Sequence, residues 1–165
     1  NAAMRTPLRA VSLDLDDTLW ETMPVLVRAE ARLQGWLEAH YPRLAAAYEP
    51  AAARERRVAI ARANPTRAHD MTWLRTESLR HAAAEAGYPE DCAHEAFEVF
   101  HAARNDIDPY ADVRPALARL CALVPVYALS NGNACVRRVG LGDFFAGAVA
   151  PHDAGCAKPD ARIFA

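Results

Sequence analysis

The sequence lacks a strong charge of either sign and lacks long apolar runs. Its 165 residues carry a formal net charge of −2, so we expect neither nucleic acid nor an anionic membrane surface as a partner. No apolar run approaches the roughly 20 residues of a membrane-spanning helix. Hydrophobic residues make up 52% of the chain and charged residues 24%. This composition is typical of one globular domain, or of a core domain with a modest insert.

Cysteine pairs are also missing. None of the four cysteines forms a CxxC pair or a zinc-binding pattern; they are Cys92, Cys121, Cys135 and Cys156. We therefore expect small buried side chains rather than disulfides or metal ligands. Unpaired cysteines fit a reducing compartment, and we expect a cytoplasmic protein.

Lysine is scarce as well. Among 19 basic residues, Lys158 is the single lysine and all the others are arginine. Because arginine supplies the general positive charge, a position that keeps lysine is expected to need a compact ammonium rather than a planar guanidinium. Chance explains a single residue equally well.

The first half of the chain predicts one strand followed by a helical insert. Residues 8–15 form an apolar run that predicts a buried strand ending in acidic residues. From Thr18 to about Arg104 the apolar residues recur with helical periodicity. Breaks divide this stretch into about four helices, at Tyr41-Pro42, Glu49-Pro50, Asn64-Pro65 and Gly87-Tyr88-Pro89. We expect residues 19–108 to form a separate helical cap domain.

The second half predicts alternating helices and strands. Residues 112–123 predict a helix, residues 124–129 and 147–150 predict short strands, and residues 160–165 predict the start of a helix. This alternation predicts an α/β core with a parallel sheet, formed by residues 4–18 and 109–165. A buried first strand needs neighbours on both edges. We therefore expect that a C-terminal part of the core is missing from this sequence.

The first candidate motif follows the first predicted strand. Asp14 and Asp16 lie where that strand gives way to a loop, and such strand ends are where open α/β sheets bind ligands. Two crowded carboxylates repel each other unless a cation such as Mg²⁺ lies between them. One carboxylate can attack phosphorus while the other transfers protons. A helix N-cap or an acidic turn explains the motif equally well when it is taken alone.

Two further motifs follow later apolar segments. Ser130, Asn131 and Gly132 come after the strand at residues 124–129, and a hydroxyl with the N–H groups of a tight turn can bind phosphate. Lys158 precedes Pro159 and a predicted helix start, where an ammonium can neutralise phosphate and a carboxylate. An ordinary turn and a surface lysine are the alternatives for each motif alone.

Together the three motifs resemble the signatures of the haloacid dehalogenase-like hydrolase superfamily. The stretch VSLDLDDTLW is similar to the first signature, YALSNGN to the second and AKPDARIF to the third. The helical insert matches the position of a type-1 cap. The resemblance implies a Rossmann-like α/β core beneath a helical cap.

The resemblance also implies an activity and a set of residue roles. It implies Mg²⁺-dependent hydrolysis of a phosphate monoester through an aspartyl-phosphate on Asp14, with Asp16 as general acid and base. Mg²⁺ would be bound by the Asp14 carboxylate and the Asp16 backbone carbonyl. Lys158 would hold the nucleophile and the phosphate. The remaining predicted phosphate-binding or loop-supporting residues are Thr18, Ser130, Asn131 and Gly132. Dehalogenases of the superfamily lack the second aspartate, so Asp16 favours phosphate transfer.

One departure from the family pattern leaves alternatives open. The family's fourth motif supplies further acidic Mg²⁺ ligands, and no acidic pair after an apolar run follows Lys158. A phosphomutase shares all of the residues named above. A non-catalytic binding module is the alternative if the fourth motif is absent from the protein.

A narrower resemblance concerns the substrate. The segments RAHDMT, SNGNA, GLGDFF and PHD look like those of bacterial phosphatases that act on FMN and on the aminoribityl-uracil phosphate of riboflavin synthesis. This resemblance implies a small phosphorylated metabolite as partner, with FMN and ribityl or sugar phosphates as candidates. The sequence leaves open whether the protein is a monomer or a homodimer.

Overall fold

Three short strands form a parallel sheet in the computed structural model, which describes residues 7–164. The strands are β1 (Val11–Leu13), β2 (Val126–Leu129) and β3 (Gly147–Val149), in the order β1-β2-β3. Both pairings are parallel, with Val11 opposite Val126 and Ala128 opposite Ala148. The predicted α/β class with a parallel sheet is confirmed. Residues 4–6 and 165 of the predicted core lie outside the described residues.

The first strand is shorter and less buried than the sequence predicts. An apolar run over residues 8–15 predicts a buried strand, but β1 spans three residues and its central residue, Ser12, is exposed. Within residues 7–164, β1 pairs with β2 alone, and a parallel strand is buried only where both edges and both faces are covered. Deep burial starts after the strand, at Leu15.

A block of five helices follows β1. It comprises α1 (Thr22–His40), α2 (Pro42–Ala47), α3 (Pro50–Ala63), α4 (Met71–Glu85) and α5 (Cys92–Arg104), with a 3₁₀ turn at Pro65–Arg67. Proline begins α2 and α3, because its fixed φ and missing N–H suit the first helical position. The sequence predicted about four helices in this stretch. The structure has five, because the six residues of α2 form a separate helix between the first two predicted breaks.

The helical block and the sheet have separate apolar cores. In the block, α1 packs along α5, and α4 packs against α3 and α5. Their shared core contains Leu33, Leu37, Leu44, Leu79 and Phe100. A second core covers the sheet and contains Leu15, Trp20, Val126, Leu117 and Leu141. Each cluster is contiguous within itself, as the core of a folding unit is.

The rest of the α/β region contains two helices and two 3₁₀ turns. These are α6 (Val113–Cys121), a turn at Gly142–Phe144, α7 (Pro151–Ala154) and a turn at Ala161–Phe164. The helix predicted from residue 160 is therefore a 3₁₀ turn. The Ile163 N–H donates to the Asp160 carbonyl, three residues back, at 3.2 Å, which is the 3₁₀ spacing. The Lys158–Pro159 peptide bond is cis.

All four cysteines are free thiols. Cys92 and Cys156 are buried, Cys135 is partly buried, and Cys121 is exposed at the end of α6. The expectation of buried thiols is therefore wrong for Cys121. No helix between residues 7 and 164 has both the length and the apolar character needed to cross a membrane.

Candidate active site

The candidate site lies where β1 and β2 end. Asp14 follows the last residue of β1, and Ser130 follows the last residue of β2. Parallel strands end at the same edge of a sheet, so these residues meet there. Lys158 reaches the same edge from the loop after α7. Its Nζ lies 3.0 Å from Asp14 Oδ2 and donates to the Leu129 carbonyl at 2.7 Å.

The Asp14 carboxylate is held at both oxygens and stays open to solvent. The backbone N–H of Leu15 donates to Asp14 Oδ1 at 2.8 Å, and Lys158 pairs with Oδ2. The side chain of Asp14 is nevertheless 43% exposed. An oriented and accessible carboxylate is available to a substrate that arrives at the sheet edge.

An amide side chain joins the second motif to the third. Asn131 Nδ2 donates to the Lys158 carbonyl at 3.0 Å, and the Lys158 N–H donates to Asn131 Oδ1 at 2.8 Å. Both polar groups of the Asn131 side chain are thus engaged by the backbone of Lys158. The contact fixes the loop that carries the ammonium, and a direct role of Asn131 in phosphate binding stays a prediction.

The chain between Asp14 and α1 turns through a left-handed residue. Asp17 has φ = 56°, a conformation that aspartate tolerates better than most residues. Its Oδ1 accepts the Thr22 N–H at 2.8 Å, at the start of α1. Thr18 is exposed in this turn, and its N–H donates to the Leu15 carbonyl at 3.2 Å. The role predicted for the Thr18 side chain stays a prediction.

Asp16 has more partners than Asp14 and is more enclosed. Trp20 Nε1 donates to Asp16 Oδ1 at 3.1 Å, and Arg104 Nη2 donates to both carboxylate oxygens at 2.6 Å. The side chain of Asp16 is 19% exposed and that of Arg104 is 3% exposed. Trp20 is fully buried. The two partners come from opposite ends of the helical block, since Trp20 precedes α1 and Arg104 ends α5.

Glycine is required at position 132 because Asp16 packs against it. A Cβ added to Gly132 would collide with Asp16 Oδ2 and would lie 3.3 Å from Arg104 Nη2. The Gly132 N–H donates to Ser130 Oγ at 3.0 Å, and Ser130 is itself buried. The structure thus brings Ser130 and Gly132 of the second motif together with Asp16 of the first.

The loop after Gly132 contacts the helical block. The Asn133 carbonyl lies 2.9 Å from His101 Nε2 of α5, and Asn133 Nδ2 donates to Thr72 Oγ1 of α4 at 3.3 Å. The Cys135 N–H donates to Asn105 Oδ1 at 2.7 Å. These polar contacts fix the end of α5 on the loop that carries Ser130.

A cavity of about 710 Å³ lies between the helical block and the site. Asp16, Arg104 and Gly132 form part of its wall. Its apolar wall contains Met23, Leu26, Val27, Met71 and Phe100, and its other arginines are Arg54, Arg57 and Arg75. A cavity with an apolar wall and a few convergent polar groups is typical of a small-molecule site. A larger depression of about 970 Å³ outside α1 and α5 contains none of the site residues.

Arg75 is already paired inside this cavity. It lies 2.7 Å from Glu30 and stacks over the ring of Phe100, with its guanidinium carbon 3.5 Å from the ring centroid. Its side chain is 8% exposed. Burial with both partners fixes this guanidinium as part of the wall.

The oxygen donors at the sheet edge suit a hard cation. Mg²⁺ is commonly bound by one or two carboxylates together with water and substrate phosphate, and the Asp14 carboxylate and the Asp16 carbonyl are donors of that kind. Within residues 7–164 no three His, Cys, Asp or Glu side chains converge as a metal cage. The donors therefore fit Mg²⁺ in kind and supply about two of its six positions.

Sequence reasoning missed Arg104, the closest partner of Asp16. Arg104 resembles the many other arginines of the helical insert, and it lies 88 positions along the chain from Asp16. Trp20 was noted as an aromatic residue near the first motif, and its position four residues after Asp16 is the one local signal of the contact.

The chain belongs to the haloacid dehalogenase-like hydrolase family, whose sequence profile matches residues 8–165. It is therefore an enzyme, and the predicted resemblance is confirmed. The non-catalytic module is no longer an alternative.

Two relatives of this chain are named for different reactions. The 5-amino-6-(5-phospho-D-ribitylamino)uracil phosphatase YigB of Escherichia coli strain K12 is 31% identical over 161 residues, which cover 95% of this chain and 67% of that protein. A 2-haloacid dehalogenase from Pseudomonas syringae pv. tomato DC3000, known from its crystal structure, has 38% sequence identity to this chain and a TM-score of 0.89. The match covers 96% of this chain and 70% of that one.

A third relative supports the fold alone. The L-2-haloacid dehalogenase from Xanthobacter autotrophicus is 23% identical, with a TM-score of 0.55, and the match covers 96% of this chain and 62% of that one.

Proposed function

We propose that the protein is a Mg²⁺-dependent phosphate monoester hydrolase that acts through an aspartyl-phosphate on Asp14. The observation that carries the proposal is the exposed Asp14 carboxylate paired with Lys158 at 3.0 Å, beside a second carboxylate and a serine hydroxyl. An ionised carboxylate is a nucleophile, and a neighbouring ammonium offsets its repulsion from phosphate.

Each residue has a step in the proposed reaction. Asp14 attacks phosphorus in line with the leaving oxygen, and Asp16 protonates that oxygen as the bond to it breaks. Asp16 then takes a proton from the water that cleaves the aspartyl-phosphate. Lys158 and Ser130 bind phosphoryl oxygens. Ser130 Oγ accepts the Gly132 N–H and keeps its own hydrogen to donate.

Mg²⁺ is the proposed cofactor. The Asp14 carboxylate and the Asp16 main-chain carbonyl would hold it, and it would offset negative charge on the phosphoryl oxygens.

The cavity supports a small phosphorylated metabolite as substrate. Its apolar wall and arginines suit an anion that carries an apolar or planar body. The name of the Escherichia coli relative supports a ribityl phosphate, and FMN and sugar phosphates are further candidates. We propose that residues 19–108 act as a cap over this cavity and exclude bulk water from the reaction.

Two other reactions remain candidates. Hydrolysis of a carbon–halogen bond is favoured by the 38% identity to a protein named as a 2-haloacid dehalogenase. Asp16 favours phosphate chemistry instead, because a leaving alkoxide needs a proton and a leaving halide does not. A phosphomutase uses the same residues and differs by retaining the phosphoryl group on a second hydroxyl.

The test is hydrolysis of p-nitrophenyl phosphate by the protein with Mg²⁺ and with EDTA, alongside Asp14→Asn. We expect turnover with Mg²⁺ that EDTA and Asp14→Asn each abolish. Asp112→Asn is the matched control, because Asp112 is exposed and makes no side-chain cap hydrogen bond. Turnover that survives in Asp14→Asn would contradict the mechanism.

A second assay separates the rival chemistry. Release of chloride from 2-chloropropionate, without phosphate release from p-nitrophenyl phosphate, FMN or sugar phosphates, would replace the phosphatase by a dehalogenase. Transfer of phosphate between two hydroxyls of one sugar would identify a mutase.

A further inference from the structure

The guanidinium of Arg104 is buried and only partly used. One of its nitrogens, Nη2, donates to both oxygens of Asp16 at 2.6 Å. The other, Nη1, is buried and has no hydrogen-bond partner among the described residues. The side chain as a whole is 3% exposed.

A buried donor without a partner is costly, and each such group in a folded protein needs an explanation, such as a bound water or ion, strain or a role in a reaction. Arginine presents its nitrogens as a rigid fork that matches two oxygens of a carboxylate or phosphate group. Arg104 uses one arm of this fork on Asp16. Its other arm, Nη1, has no acceptor among residues 7–164.

The surroundings of Arg104 indicate where that acceptor comes from. Arg104, Asp16 and Gly132 all line the cavity of about 710 Å³, and a Cβ on Gly132 would lie 3.3 Å from Arg104 Nη2. Arg75, the other buried arginine of this cavity, is already paired with Glu30. Among residues 7–164, Arg104 is therefore a buried cation beside Asp16 that has an unused hydrogen-bond donor.

We propose that Arg104 is a catalytic residue that bridges Asp16 and the substrate. Its Nη2 holds the Asp16 carboxylate, and its Nη1 donates to an anionic oxygen of the substrate. The inference rests on the proposed function in one respect, because that function makes the oxygen a phosphoryl oxygen. Since Arg104 is the last residue of α5, the same contact joins the helical block to the substrate.

The test is the affinity of the protein for inorganic phosphate in the presence of Mg²⁺, measured by isothermal titration calorimetry. We expect Arg104→Met to weaken binding about tenfold or more, because a charge-assisted hydrogen bond is lost. The matched control is Arg62→Met, since Arg62 is exposed on α3 and its loss removes the same charge. Unchanged affinity in Arg104→Met overturns the proposal.

A double variant distinguishes direct contact from an effect through Asp16. Direct contact predicts that Arg104→Met weakens phosphate binding by a similar factor in the Asp16→Asn background. A loss that disappears in that background shows that Arg104 acts solely by holding Asp16, and it overturns the bridge.

Arg104→Met could fail to fold, and circular dichroism would reveal this. Arg104→Lys is therefore a second, more conservative test. A lysine ammonium keeps the charge but loses the planar fork. We expect phosphate binding at least about threefold weaker than in the wild type, because one compact group cannot hold both anions in the arginine geometry. Wild-type affinity in Arg104→Lys overturns the proposal.

A second titration, with the small carboxylate lactate, distinguishes failure of this inference from failure of the proposed function. Wild-type protein that binds lactate and not phosphate, with the affinity lost in Arg104→Met, overturns the phosphatase and supports the bridge. Wild-type protein that binds neither anion overturns both.

Discussion

Asp14 and Asp16 are two residues apart and have different surroundings. Asp14 is 43% exposed and is held by Leu15 and Lys158, both from the α/β region. Asp16 is 19% exposed and is held by Trp20 and Arg104, at the two ends of the helical block. The orientation of the first carboxylate thus depends on the sheet and its loops. The orientation of the second depends on the helical block as well.

This difference divides the proposed reaction between two parts of the molecule. Asp14, the proposed nucleophile, has both of its partners in the sheet region, so its orientation would not depend on closure of the block. Asp16, which transfers protons in the proposed reaction, has all of its partners only when α5 places Arg104 beside it. Closure of the block would therefore act on proton transfer, whereas attack by Asp14 depends on the sheet edge.

The largest expected effect comes from removing the ammonium on the sheet side. Lys158→Met should lower kcat/KM for p-nitrophenyl phosphate by about 10²-fold or more, because a preorganised charge at the phosphoryl group is lost. Arg162→Met is the control, since it removes a nearby exposed charge. Equal activities of the two variants would show that the Asp14–Lys158 pair is merely structural.

A smaller effect on stability and activity is expected at Gly132, which packs against Asp16 and Arg104. Gly132→Ala places a Cβ against Asp16 Oδ2 and near Arg104 and Ser130. We expect a loss of about 1–3 kcal/mol in the free energy of unfolding, as for other overpacked sites, together with a lower kcat. Urea denaturation and steady-state kinetics measure the two quantities.

Gly35→Ala is the matched control for that variant. Gly35 lies within α1, and a Cβ there meets no atom within 4 Å. We expect it to raise the free energy of unfolding by roughly 0.5–1 kcal/mol, since alanine favours helix more than glycine does. A destabilised Gly35→Ala would undermine the steric interpretation of Gly132→Ala.

The next prediction concerns the amide that fixes the Lys158 loop. Asn131→Ala removes two hydrogen bonds to the Lys158 backbone, and we expect a loss of about 1 kcal/mol in stability. Activity should fall by less than in Lys158→Met, because the ammonium is retained. Asn64→Ala removes an amide contact to Ile60 in the helical block and should leave activity unchanged. Equal activity of the two variants would contradict this role of Asn131.

The smallest predicted effect is a change in the pKa of Asp160, close to the Lys158 loop. Hydrogen bonds from Arg162 lower the pKa of Asp160 to about 2. Because this pKa is depressed in the folded state, its contribution to stability is present above the ordinary value of 3.8 and is lost as the pH falls through 2. NMR titration should show the pKa rising in Arg162→Met. An unchanged pKa would assign the depression to another cause.

Local signals in the sequence predicted most of the fold. The helix breaks at Pro42, Pro50 and Pro65 were correct because proline restricts φ of its own residue and the conformation of the preceding one. The strand at β2 was predicted because an apolar run ends in a turn motif. The same signals predicted that the three motifs meet at one edge of the sheet, because parallel strands end together.

What the sequence did not predict depends on contacts over long separations. The ion pair between Asp16 and Arg104 joins residues 88 positions apart, and no local pattern distinguishes Arg104 from the other arginines of the insert. The burial of β1 was overestimated because it depends on neighbouring elements rather than on the apolar run itself. The 3₁₀ turn after Lys158 was missed because an Asp before apolar residues also suits an α-helix.

The contacts of Trp20 and Arg104 with one carboxylate have a consequence for how the enzyme can be modified. Both ends of the insert are fixed at the same point, so the distance between them does not depend on what lies between. The entropy of closing such a segment rises slowly with its length. Helices of other lengths could therefore be grafted between these two residues without moving Asp16, the proposed general acid and base. If the insert is the proposed cap, substrate selectivity could diverge through it while the proposed chemistry is retained.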